Sequence, residues 1–247
     1  MLPILMLLAC DMGPSFSQVQ EIDTIEAYEE FLAKDPDGVY KFAIEKRLEE
    51  LYFERGQKEL TTEAWQAYLD RFPEGASADK AKRELATAMY SDAVKQDTVE
   101  AYEAFLEKNK KGGDKWLVAR AKGRIAVLQY GGISMGEPKV ERVNMAEDPK
   151  GELNGWGVSV EVTNDGDKTL EYVSITLEYL ADEGYVLAAK DYPLVSKTWS
   201  LPASDEQMRP IKPKEKRTWL WTESDEQVPK GWNQKVKLNL TGLRFVE

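Results

Sequence analysis

A chain of 247 residues with no histidine and a single cysteine has few ways to carry out covalent chemistry. Histidine is the usual general base of serine and cysteine hydrolases and the commonest transition-metal ligand, so both classes lose their principal residue. The closest approach to a nucleophile motif is Gly132-Ile-Ser134-Met-Gly136, which fits G-x-S-x-G. A working elbow needs a strand–turn–helix setting and a base beside the serine. Here the motif follows helical periodicity, nothing activates Ser134, and no serine–lysine motif accompanies it. It reads as an interdomain linker. Asn164-Asp-Gly-Asp167 clusters oxygen-bearing side chains, but a Ca²⁺ loop requires more ligands at set spacings, including a late bidentate glutamate. A plain turn accounts for it. The sequon Asn239-Leu-Thr241 falls inside an alternating strand pattern and is set aside. No catalytic residue, metal or cofactor is expected, which leaves Cys10 as the residue with chemistry to do.

Cys10 follows the apolar run Met1–Ala9. That run is far below the roughly 20 residues that cross a bilayer, and it suits the apolar region of a signal peptide ending in a small residue. The order Leu7-Leu8-Ala9-Cys10 resembles the lipobox of bacterial lipoproteins. The resemblance implies cleavage before Cys10 and lipid on its sulfur and amino group. Several acyl chains anchor stably where one is marginal. It also implies a place in the bacterial cell envelope, at the outer membrane or the periplasmic face of the inner membrane.

Charge narrows the partners. The formal net charge is −11, from 44 acidic and 33 basic residues. It is spread evenly, with 24 acidic against 18 basic residues up to Tyr130 and 20 against 15 beyond. No basic face is announced, so nucleic acid is a poor partner. Membrane attachment falls to the lipid anchor rather than to electrostatics.

The elements that must position any surface come in two kinds. Asp23-Thr-Ile-Glu-Ala-Tyr-Glu-Glu-Phe-Leu32 recurs from Leu60 and again from Asp97, a period of 37 residues. Ala27/Ala64/Ala101, Tyr28/Trp65/Tyr102, Phe31/Tyr68/Phe105 and Leu32/Leu69/Leu106 share one helical face. Asp23 with Glu26, and Asp97 with Glu100, have capping-box spacing, while in the middle copy a threonine must cap instead. Turns at Pro36/Gly38, Pro73/Gly75 and Gly112 end each first helix, and a second helix follows. In the third copy it arrives three residues late, at Ala121 and Ile125, after the extra Lys-Gly-Gly-Asp. Glu26/Glu63/Glu100 near helix starts and Lys34/Arg71/Lys108 near helix ends complement the helix dipole without invoking a ligand. The pattern resembles tetratricopeptide-type helical repeats across about residues 20 to 130, which implies an extended interaction surface. Tyr28, Trp65 and Tyr102 could line a peptide groove; the inter-repeat core is the favoured place for them.

Gly131, Gly132, Gly136 and Pro138 interrupt the helical pattern, and the period then changes from 3.6 to 2. Trp156/Val158/Val160/Val162, Val173/Ile175/Leu177/Tyr179, Trp219/Trp221 and Val236/Leu238/Leu240 alternate with polar residues. Separated by turns and without helices, they predict an antiparallel β-sandwich. The stretch from Asn164 to Gly184 is similar to the FxLYD-type immunoglobulin-like domain of bacterial surface proteins. Leu177, Tyr179, Leu180 and Ala181 stand at its signature positions and depart from the signature itself.

The expected organisation is therefore multi-domain, α then β: a signal peptide over 1–9, a lipidated linker over 10–20, helical-hairpin repeats over 21–130, a linker over 131–138, and a β-sandwich over 139–247. The two domains are expected to fold separately. The expected function is non-catalytic: a protein-interaction or scaffolding module at a membrane surface, with a protein or peptide partner. The rival reading is a glycan or peptidoglycan binder using exposed tryptophans such as Trp199 or Trp232.

Overall fold

The computed structural model describes residues 14–110, 114–145, 153–196 and 205–246; Cys10, Gly112 and Trp199 lie outside them. Helices come first and antiparallel sheets follow. The chain divides into two compact units, residues 1–92 and 93–247. Helices α1 (Phe16–Ile22), α2 (Ile25–Lys34), α3 (Lys41–Glu59) and α4 (Thr62–Arg71) belong to the first, and α5 (Ala78–Gln96) runs through the division.

In the first unit, the apolar columns of the sequence become two adjoining cores. Val19 of α1, Tyr28 of α2 and Ile44 and Leu48 of α3 form one. Trp65 and Tyr68 of α4 with Ala78, Ala81 and Ala88 of α5 form the other. Alanines on α5 leave room for the Trp65 ring, and so does Gly56 of α3, where a Cβ would stand 2.6 Å from the Trp65 Cε3.

The first and third helix starts differ from the sequence expectation, while the middle one has the threonine cap expected there. Thr24, Thr61 and Thr98 cap α2, α4 and α6 (Val99–Lys108), each Oγ1 accepting from the backbone N–H three residues on, at 3.3, 3.2 and 3.2 Å. Asp23, Leu60 and Asp97 instead occupy left-handed positions, with φ of 49°, 55° and 49°, that close the preceding helix. A threonine follows each acidic or leucine residue in all three copies, so one capping chemistry serves everywhere.

In the second unit, α6 and α7 (Lys115–Tyr130) accompany two antiparallel sheets. The first holds β3 (Gly155–Asn164) at its centre, β6 (Lys216–Ser224) on one side, and β1 (Ile133–Met135) and β2 (Lys139–Val143) in succession on the other. The second runs β5 (Val186–Val195), β4 (Leu170–Leu180), β7 (Lys235–Phe245). A four-residue helix α8 (Asp205–Met208) precedes β6. Val160 and Val162 of β3, Val173 and Ile175 of β4, Trp219 of β6 and Leu243 of β7 meet in one core between the sheets. Alternation thus placed the inward residues correctly, as the pleat requires.

The stretch 131–138, expected as a linker, falls inside this unit. Its Ile133–Met135 pairs antiparallel with Val162–Asn164 of β3, Ser134 lying opposite Thr163. Helix α7 packs against β7, and Ala126, Val127 and Tyr130 extend the core. Two glycines make that approach feasible: a Cβ on Gly123 would sit 3.2 Å from the Cα of Gly242. Arg124 then donates to the Leu240 carbonyl of the edge strand β7, covering an edge that would otherwise present unpaired backbone groups.

Candidate functional site

The aromatic column is interior. Tyr28, Trp65 and Tyr102 are 3%, 1% and 2% exposed, so a ligand reaching them would have to displace core. What surrounds two of them was not anticipated. Asp23 accepts a bidentate pair from Arg47, Nε to Oδ1 at 3.0 Å and Nη2 to Oδ2 at 2.8 Å, and the Tyr28 hydroxyl at 3.1 Å. Asp97 repeats this with Arg124, at 2.8 and 2.6 Å, and with Tyr102 at 3.2 Å. The arginine hydrogen bonds hold both aspartates below the usual carboxylate range, against the opposing effect of burial. In the middle copy Leu60, Trp65 and Glu84 replace aspartate, tyrosine and arginine. The whole triad changes together, leaving no half-made charge pair. These are structural ties: their hydrogen-bonding atoms face one another.

The residues considered for chemistry are likewise occupied. Ser134 Oγ donates to Asp165 Oδ2 at 2.5 Å from strand β1, not from the strand–turn–helix setting that a nucleophile elbow needs. Asn164 is buried; its amide nitrogen donates to the carbonyls of Lys168 and Ile211, while its oxygen accepts from the Tyr130 hydroxyl and the Gly166 N–H. Those four bonds close the 164–168 turn and engage both polar atoms of the side chain. Among the described residues no three His, Cys, Asp or Glu side chains gather as metal ligands would.

One buried carboxylate joins the two sheets. Glu223 of β6 accepts from the Tyr192 hydroxyl and, at 2.6 Å, from Lys190 Nζ, both on β5. Burial, then the neighbouring Glu223, pushes the Tyr192 and Tyr179 hydroxyls up. Both Glu223 oxygens are satisfied, so the group fixes the sheets' relation rather than awaiting a substrate. Trp232, a candidate glycan platform, is half-buried; it meets Trp156 and Tyr179 edge-on with centroids 5.2 Å away in each case, and its Nε1 donates to the Lys235 carbonyl.

Two surface features remain. In the first unit, Val39 and Phe42 at the start of α3 are 92% and 81% exposed. Between them Tyr40 stacks on Phe16 at 4.2 Å, steadying the turn. The positions 37 residues on hold Ala76 and Asp79, so the periodic fold does not require large apolar groups there. In the second unit, a cleft of ≈ 280 Å³ opens between α7, the 164–168 turn and the end of β7. The sequence periodicity gave no sign of it, because its walls come from three separated segments.

No family model matches the sequence, and no curated protein matches it. Among solved structures the chain is similar to an alkylpurine DNA glycosylase of Pseudomonas fluorescens bound to DNA with an abasic-site analogue, at 12% identity and TM-score 0.38, covering 90% of this chain and 66% of that one. It is also similar to a β-glucosidase of Erythrobacter marinus, at 12% identity and TM-score 0.22, over 44% of this chain and 15% of that one. A structure from the Northeast Structural Genomics Consortium matches at 10% identity and TM-score 0.25, covering 47% of this chain and 86% of that one. Similarities this slight carry no argument about activity. No helix among the described residues is long and apolar enough to cross a membrane.

Proposed function

We propose that this protein is a lipid-anchored, non-catalytic interaction module of a bacterial cell envelope. In this reading its paired helices act as tetratricopeptide-like repeats and its two sheets as an immunoglobulin-like sandwich. The observation that carries it is the exposed pair Val39 and Phe42. The neighbouring core is already filled by Tyr28, Ile44 and Leu48, so these side chains are surplus to folding. Covering a large apolar side chain is worth roughly 1.5–3 kcal/mol, which makes the pair a natural anchor for a protein partner. Ser134, Asn164, Glu223, Asp23 and Asp97 are each spent on structural ties, which supports a binding role over catalysis. The glycan alternative leans on Trp232, which is half-buried, packed edge-on with Trp156 and Tyr179 and tied by its N–H to the Lys235 carbonyl, and is the weaker reading.

The partner surface is tested by a photocrosslinking residue placed at Phe42 in cells, with the same residue at Asp79 as control. One discrete adduct from position 42 and none from 79 is the expected result. Equal labelling from both, or from neither, would sink the proposal. Anchoring is a separate measurement: mass spectrometry of the mature N-terminal peptide should find Cys10 acylated, and Cys10→Ser should leave the protein uncleaved.

A further inference from the structure

The cleft of the second unit has a chemistry of its own. Ile125, Ala126 and Tyr130 of α7 and Phe245 of β7 give it an apolar wall, and Lys122 and Lys168 stand at it as cations. Among the described residues no carboxylate lines it. In a chain of net charge −11 that is unexpected, and it traces to α7: Lys115–Tyr130 contains Lys115, Arg120, Lys122 and Arg124 and no acidic residue. Arg120 is neutralised by Asp191 and Arg124 by Asp97, at 2.5 and 2.6 Å. Lys122 has no such carboxylate partner among the described residues. Lys168 Nζ stands 4.8 Å from the centroid of the Phe245 ring, held at the apolar wall rather than against an acid. The wall is rigid: the Tyr130 hydroxyl donates to Asn164 Oδ1 at 3.0 Å and accepts from the Lys168 N–H at 3.2 Å, and its ring meets Phe245 edge-on at 4.9 Å.

We infer that this cleft binds a carboxylate carried on a small apolar body, with Lys122 and Lys168 holding the anion and Ile125, Ala126 and Phe245 receiving the apolar part. Two point cations without an arginine fork suit one carboxylate better than a bidentate dianion. The volume suits a ligand of phenylpropanoate size, and an apolar wall with a few convergent polar groups is the usual make-up of a small-ligand site. The same chemistry is offered by a free organic acid and by the C-terminal carboxylate of a peptide ending in an apolar residue.

The test is calorimetric titration of the full chain with 3-phenylpropanoate, with 3-phenylpropylamine as the charge-reversed control. Saturable binding of the acid and none of the amine is expected. Lys122→Gln and Lys168→Gln should each weaken it about tenfold, the loss of one charge-assisted hydrogen bond. Lys115→Gln, on the same helix but outside the cleft, should leave it unchanged. All three positions are exposed, so the variants should melt like the parent. A short peptide ending in phenylalanine, with a free or an amidated terminus, separates the sources. Displacement of 3-phenylpropanoate by the free-terminus peptide alone assigns a peptide end; no displacement by either assigns a free acid. Absence of saturable binding, equal binding of the amine, or an equal loss in Lys115→Gln would overturn the inference.

Discussion

Arg217 spends its guanidinium on one short stretch of chain. Nη1 donates to the carbonyls of Glu206 and Arg209, Nη2 to the Pro210 carbonyl and Glu215 Oε1, and Nε to the same carboxylate. Burial raises the Glu215 carboxyl, but Arg217, the Lys212 N–H and Arg209 outweigh it and hold it down to about 2. A carboxyl depressed in the folded state stabilises fully above its unfolded value, near 4.5, and that stabilisation is lost as pH falls from there toward 2. Melting temperature should therefore drop between pH 5 and pH 2.5, and Glu215→Gln should flatten the drop. An unaltered slope in that variant would assign the acid sensitivity elsewhere, for instance to Asp23 and Asp97, which are also depressed. The aspartate and tyrosine columns of the two triads are visible in the sequence. Their arginines are not, because Arg47 and Arg124 align only after the three-residue insertion in the third copy is placed.

Helix α7 against strand β7 shows how an element contact can hinge on absent side chains. Gly123→Ala gains up to about 1 kcal/mol in helix propensity and meets the Gly242 Cα at 3.2 Å, a contact that small shifts relieve. Gly123→Val adds bulk the backbone opposite cannot yield to, and should cost about 1–3 kcal/mol. Thermal melts of the two variants should show alanine near the parent and valine well below it; the reverse order would mean that the approach is looser than described. In the first unit, Trp65→Ala should cost about 3–5 kcal/mol, since the ring is wholly buried among Gly56, Phe53 and the α5 alanines. An unchanged melt with loss of partner binding would reopen the groove reading. The helical periods themselves were legible from the apolar columns. The first and third caps lie one residue later than the spacing suggested, at Thr24 and Thr98, because aspartate and threonine are both good capping residues and only the backbone angles reveal which sits at the helix start.

At the scale of the molecule, the change of period near 131–138 and the division into compact units at Asp92/Ala93 fall in different places. A fragment beginning near Ala93 keeps α7 on β7, the Arg124–Leu240 bond and β1 on β3. One beginning near Glu137 loses all three and exposes the β7 edge. Chemical denaturation should find the longer fragment cooperatively folded and the shorter one markedly less stable. Equal midpoints would make 139–247 a self-sufficient domain and restore the linker. The sequence alone determined the helices-then-strands order, the inward residues of both, and the exclusion of histidine chemistry, because local periodicity and composition are properties of the chain itself. Only the tertiary structure decided that the third helical pair belongs with the sheets and that a lysine-lined cleft lies where it meets them. Contacts such as Gly123 with Gly242, or Tyr130 with Asn164, join residues far apart in sequence, and no local pattern records a partner that the fold alone brings near.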